Sequence, residues 1–184
     1  MIVTKEPGGT PAGAAIRRLF LGPRGAGLDP WTELFLMEAA RAQHLAGVVR
    51  PALLSGTTVL CDRFTDSTIA YQGYGRGLPL EVIQHLHGLP GLRPAPDLTL
   101  IFDLPVDQGL ARASERNARL SHRRREGRID AERAAFHAKV RRGYLAVAAS
   151  EPARVVIVPA GGSPETVEQK VRRIVLSRMG FEGR

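Results

Sequence analysis

The 184-residue sequence has one cysteine, few aromatics, very little lysine and no long apolar run. The lone thiol of Cys61 cannot close an internal disulfide, and no Cys/His cluster has metal-ligand spacing, which excludes disulfide-stapled and structural-zinc folds. No uninterrupted apolar stretch approaches the roughly 18 residues of a bilayer span. The opening MIVTKEPGG also lacks the basic, apolar and small-residue regions of a secretory signal. A cytoplasmic location is expected, with no membrane partner. Aromatic residues make up only 5% of the chain, which argues against the exposed stacking platform that single-stranded nucleic acid requires.

What is present is an ordinary globular balance, 43% apolar and 24% charged, at a length that suits one domain spanning 1–184. The formal charge is +8. Lysine occurs only at Lys5, Lys139 and Lys170, so the positive surface is mainly arginine, whose planar fork suits bidentate phosphate contacts. Charge alone leaves nucleic acid, acidic lipid and phosphorylated small molecules open as partners.

Hydrophobic patterning alternates strands with helices. Short apolar, β-branched runs at 2–5, 57–61, 97–102 and 154–158 read as strands. Periodic stretches at 14–21, 30–54, 131–150 and 164–179 read as helices. Such alternation predicts an α/β fold with a mainly parallel sheet flanked by helices, and ligands then gather at the carboxyl ends of the strands. The 57–61 strand ends at Asp62-Arg63. A strand-ending Asp-Arg pair, taken alone, is equally a helix cap, and the arginine run in RNARLSHRRREGR is equally a solvated face.

Five ordered blocks narrow these choices: EPGGTPAGAAIRRLFL, ELFLMEAARAQH, CDRFTDSTIAYQGYGRGL, PDLTLIFDLP and FHAKVRRGYL. Together they resemble bacterial thymidylate kinases along nearly the whole chain. The resemblance implies a P-loop NTPase-like, nucleoside monophosphate kinase fold. It also implies transfer of the terminal phosphoryl group of ATP to thymidine monophosphate (dTMP), with Mg2+ and a homodimer. It makes Arg63 the grip on the acceptor phosphate and Asp62 the carboxylate beside the metal. Arg41, Thr68 and Gln72 would read the base, with Tyr71 beside the sugar and Met37 over the base where the family commonly has Phe. Glu6, Pro7 and Arg17 would lie near the acceptor phosphate. Ser67 is expected to be a helix cap or turn residue, and Tyr144 to lie near the acceptor pocket or in the core.

A lid is implied at about 116–130, with Arg116 and Arg128 as candidates for charge neutralisation. The family's usual acidic stretch there reads Gly127-Arg128-Ile129-Asp130. The family's donor loop, G-x-x-x-x-G-K-[S/T], does not occur in the sequence. The resemblance places that strand, loop and helix ahead of EPGG and centrally in the sheet, so a late start assignment or a gene fragment is expected. Impaired transfer by the chain as given is expected too. The alternatives are a nucleotide-binding remnant without activity and a related nucleoside monophosphate kinase.

Overall fold

The computed structural model describes residues 1–119, 127–178 and 180. Strand β1 (Ile2–Lys5) pairs in parallel with β2 (Val59–Asp62), placing Lys5 opposite Asp62. Strand β3 (Thr99–Asp103) pairs in parallel with β4 (Val155–Pro159), from Thr99 opposite Val155 to Asp103 opposite Pro159. The parallel sheet is thus present as two pairs, and among the described residues β2 and β3 are not hydrogen-bonded to each other. Helical crossovers separate the partners within each pair, as parallel pairing requires. The third residue of TTVLC begins β2, because the Thr57 amide donates to Ala52 O at 2.9 Å and so closes the preceding helix.

Helix α1 (Pro11–Leu21) starts three residues before the periodic run, since Thr10 Oγ1 accepts from Gly13 N at 3.0 Å and Pro11 fills the first position. Helix α2 (Pro30–His44) is capped by Asp29, which accepts from Trp31 N at 2.8 Å. The long helix expected over 30–54 does continue, but through a wider π-type turn at Leu45–Val49 into α3 (Arg50–Leu54). Pro51 accounts for the widening: it has no amide proton, and its ring crowds the carbonyl four residues earlier. Helix α4 (Thr65–Thr68) likewise runs into a π-type segment, Ile69–Gly75. Helices α5 (Leu80–Gly88), α6 (Val106–Arg119), α7 (Ala134–Ser150) and α8 (Pro164–Arg178) follow. No helix among the described residues is long and apolar enough to cross a membrane.

Three apolar clusters meet around the π-type segment Ile69–Gly75. Phe20, Ala70, Ile129, Phe136 and Val140 form the first, with Met37, Tyr71 and Tyr144 against it. Ile101, Val147, Ala148 and Val155 form the second, and Leu34, Leu78 and Ile83 the third. Ile69 packs on the second and third clusters, while Tyr144 joins the first and second. Close contact between α7 and the π-type segment depends on Gly143, where a Cβ would come within 2.9 Å of Ala70 Cα and Tyr74 Cγ. Gly143→Ala is therefore expected to lower stability by about 1–3 kcal/mol through overpacking. A fall in the urea midpoint at constant slope is the readout, and an unchanged midpoint would contradict this packing.

Candidate active site

The carboxyl end of β2 carries Asp62 and Arg63 outward. Asp62 is exposed and has no ion pair among the described residues. Arg63 takes a left-handed backbone (φ 67°), rare for a residue other than glycine and a frequent mark of functional positions. Its carbonyl accepts from Cys61 Sγ at 3.1 Å. Its guanidinium lies 5.2 Å from the Tyr71 ring centroid and donates to the Tyr144 hydroxyl at 3.3 Å. The Tyr71 and Tyr144 rings meet edge to face at 6.2 Å. Burial pushes the Tyr144 phenol up to about 12, against the pull of Arg63, so it remains a neutral hydroxyl. Ser67 Oγ lies 2.8 Å from that hydroxyl; it joins this group and does not cap α4 as expected. Cys61 is no nucleophile here, because burial, then Glu6 and Asp62, push its thiol up to about 12.

Arg41 and Thr68 are brought together, with Arg41 Nη2 donating to Thr68 Oγ1 at 2.8 Å. The rest of the Arg41 fork is engaged by buried acids: Nε by Glu6 Oε2 at 3.0 Å, and Nη1 by Glu38. Glu6 therefore faces inward, where it also accepts from His44 Nδ1 at 2.8 Å. His87, from α5, reaches Glu38 Oε1 at 3.2 Å, and the Phe64 ring lies 5.3 Å from the Arg41 guanidinium. Burial alone would raise the Glu38 carboxyl, but the His87 hydrogen bond and the Arg41 charge outweigh it and hold it below its ordinary 4.5. A depressed carboxylate stabilises the fold above its unfolded value, and that contribution disappears as pH falls through the folded value. The urea midpoint should thus decline below pH 4.5, with a shallower decline in Glu38→Gln. An identical acid profile for both chains would contradict this.

Gln72 is buried, its amide reaching Glu33 Oε2 at 3.4 Å. Met37 is half-buried against the first cluster, whereas Phe35 projects 57% exposed from another face of α2. Arg17 Nη1 donates to Pro7 O at 3.1 Å beside the cis Glu6–Pro7 bond and the left-handed Gly8.

In the expected lid, Arg116 pairs with Asp130 at 2.7 Å and Asn117 adds a 3.0 Å contact to the same oxygen. Arg128 pairs with Glu33 Oε1 at 2.8 Å, donates to Phe20 O at 2.6 Å and lies over the Phe20 ring. Despite the departure at Gly127 and Asp130, both Arg128 and Asp130 are held by these contacts. The arginines at 123–125 lie outside the described residues, as does the Arg119 side chain.

Several site-bordering residues carried little signal in sequence. Glu33 reads as a first-turn acid, Arg76 as a turn residue, and His87 as a helix end. Asp103 did carry a signal, since TLIFD ends in a strand-end acid just as VLCD does. It accepts both Arg141 Nε (2.7 Å) and Nη2 (2.8 Å), and those hydrogen bonds hold its carboxyl below the usual range. Among the described residues no group of three or more His, Cys, Asp or Glu side chains could hold a metal.

A parallel α/β fold whose strand end presents an Asp-Arg pair suits a nucleoside monophosphate kinase of the P-loop NTPase type, a phosphotransferase, and likeness to known proteins places the chain in that class. The family profile described as thymidylate kinase matches residues 1–171. A thymidylate kinase of Solidesulfovibrio magneticus is 49% identical over 172 residues, covering 94% of this chain and 82% of the relative. One of Desulfovibrio desulfuricans is 49% identical over 183 residues, covering 100% and 84%. The crystal structure of thymidylate kinase from Ehrlichia chaffeensis superposes with a TM-score of 0.72 at 30% identity, covering 95% of this chain and 79% of that one. The chain belongs to the thymidylate kinase family.

Proposed function

We propose that residues 1–184, one domain with a lid at about 116–130, carry the acceptor half of a dTMP kinase. The observation that carries this reading is Arg63, placed at a strand end by a left-handed backbone and steadied between Tyr71 and Tyr144. A guanidinium held this way can grip a phosphate while leaving one oxygen free to attack. That oxygen forms a bond to the γ-phosphorus of ATP, the bond from γ-phosphorus to the bridging oxygen breaks, and ADP leaves. Arg17, with Glu6 and Pro7 behind it, supplies a second positive edge. Thr68, Gln72 and Arg41 face the base, Met37 covers it and Tyr71 borders the deoxyribose. Arg116 and Arg128 belong to the lid that meets the donor phosphates, where added positive charge stabilises the transferring group.

An exposed Asp62, with no ion pair among the described residues, suits Mg2+, which keeps most of its water and takes other ligands from the nucleotide phosphates. The metal would supply charge neutralisation there. Exposed Trp31 and Phe35, 6.2 Å apart on α2, support a homodimer face, and the enzyme is assigned to the cytoplasm.

Phosphoryl transfer by these 184 residues alone is expected to be weak. The sequence has no G-x-x-x-x-G-K-[S/T]. The break between β2 and β3, with apolar Leu60 and Phe102 each 56% exposed, supports a central place for a strand, loop and helix of that kind. In a coupled ATP assay, the chain supplied with such a unit should phosphorylate dTMP far faster than the 184 residues alone. Equal turnover of cytidine or uridine monophosphate by the supplied chain would overturn the thymidylate assignment.

A further inference from the structure

Glu33, on the first turn of α2, is fully buried. Its Oε2 accepts from Arg76 Nε at 2.9 Å, and its Oε1 accepts from Arg76 Nη2 at 3.0 Å and Arg128 Nη1 at 2.8 Å. A carboxylate facing two guanidinium groups can only accept hydrogen bonds. Gln72 turns its Nε2 to this group at 3.4 Å. Were the Gln72 amide reversed, its carbonyl would confront a carboxylate oxygen, two acceptors without a proton between them. Glu33 therefore fixes the amide, with Oε1 directed elsewhere.

We propose that Glu33 is a positioning residue that sets base selectivity by holding Gln72 in one amide orientation. The inference rests on the reading of Gln72 as a base contact. With Nε2 held by Glu33, Oε1 is left to accept the imide N3–H of a thymine-type base. Cytosine presents an acceptor at N3, so two acceptors would meet in a buried place. Sites built on a directional hydrogen bond reject the wrong partner strongly for that reason. Glu33 touches no base and acts only through Gln72.

Calorimetric titration with dTMP and dCMP tests the idea on the whole chain. Glu33→Gln, whose own amide can face either end of Gln72, should lower the dTMP-to-dCMP affinity ratio at least about tenfold. In a Gln72→Ala background the same replacement should change the ratio no further. Glu132→Gln, which removes the other partner of Arg76 (2.7 Å), should lower the unfolding midpoint and leave the ratio intact. A folded Glu33→Gln chain with an unchanged ratio overturns the proposal, as does an equal loss in the Gln72→Ala background. Should Glu33→Gln fail to fold, nuclear magnetic resonance of the unmutated chain decides. The Gln72 Nε2 protons must stay protected from exchange with dTMP bound, and their rapid exchange overturns the proposal. If Gln72→Ala alone leaves the ratio untouched, the assignment of Gln72 to the base has failed, and the role of Glu33 falls with it.

Discussion

Replacing Arg63 by methionine is expected to weaken dTMP binding by a factor of about 100 or more, since two charge-assisted hydrogen bonds of about 1.5–3 kcal/mol each are lost. Thymidine, which has no phosphate, should bind the variant and the parent alike. The fold should survive, because the observed contacts of the Arg63 guanidinium are one hydroxyl and one ring face. Lysine at 63 should recover part of the affinity, since it restores the charge without the planar fork. Titration calorimetry with both ligands provides the readout. Equal losses for dTMP and thymidine would mean that Arg63 shapes the pocket and does not grip phosphate.

Arg41→Met is expected to cost about 3–5 kcal/mol of stability, the usual consequence of stripping the partner from a buried charge. Arg41 is 3% exposed, and its removal leaves Glu6 and Glu38 buried at 5% and 6%. Among the described residues Glu38 Oε2 already lacks a hydrogen-bond partner. A domain of ordinary stability has only about 5–15 kcal/mol to lose, so the variant should be near its limit at room temperature. Urea unfolding measures the effect. Adding Glu38→Gln to Arg41→Met should recover part of the loss, because one stranded carboxylate becomes neutral. A loss below about 1 kcal/mol would place the cluster among weak, solvent-relieved pairs.

The strands, most helices and the Asp62-Arg63 strand end were legible in sequence because each depends on local pattern: a β-branched run, a cap, a proline at a helix start. The π-type turns escaped that reading. The one at Leu45–Val49 has a visible cause in Pro51, but the sequence pattern reads as one continuous helix. What surrounds Arg41 was illegible for a different reason. Glu38 meets His87 across 49 residues, and Glu33 meets Arg76 across 43, so neither pair leaves a trace in spacing or composition. Glu6 shows the limit most clearly. Its place in EPGG gave no sign of the inward turn by which it holds Arg41 and His44. The Asp103–Arg141 pair was within reach, since its strand ends as β2 does.

Separate titrations of the unmodified 184-residue chain with dTMP and with Mg-ATP test the central claim most directly. The account predicts saturable binding of dTMP at one site per chain and much weaker binding of ATP, because the sequence has the acceptor-side arginine but no phosphate-cradling G-x-x-x-x-G-K-[S/T] loop. A folded chain that ignores dTMP, or one that binds ATP as tightly as dTMP, would contradict it.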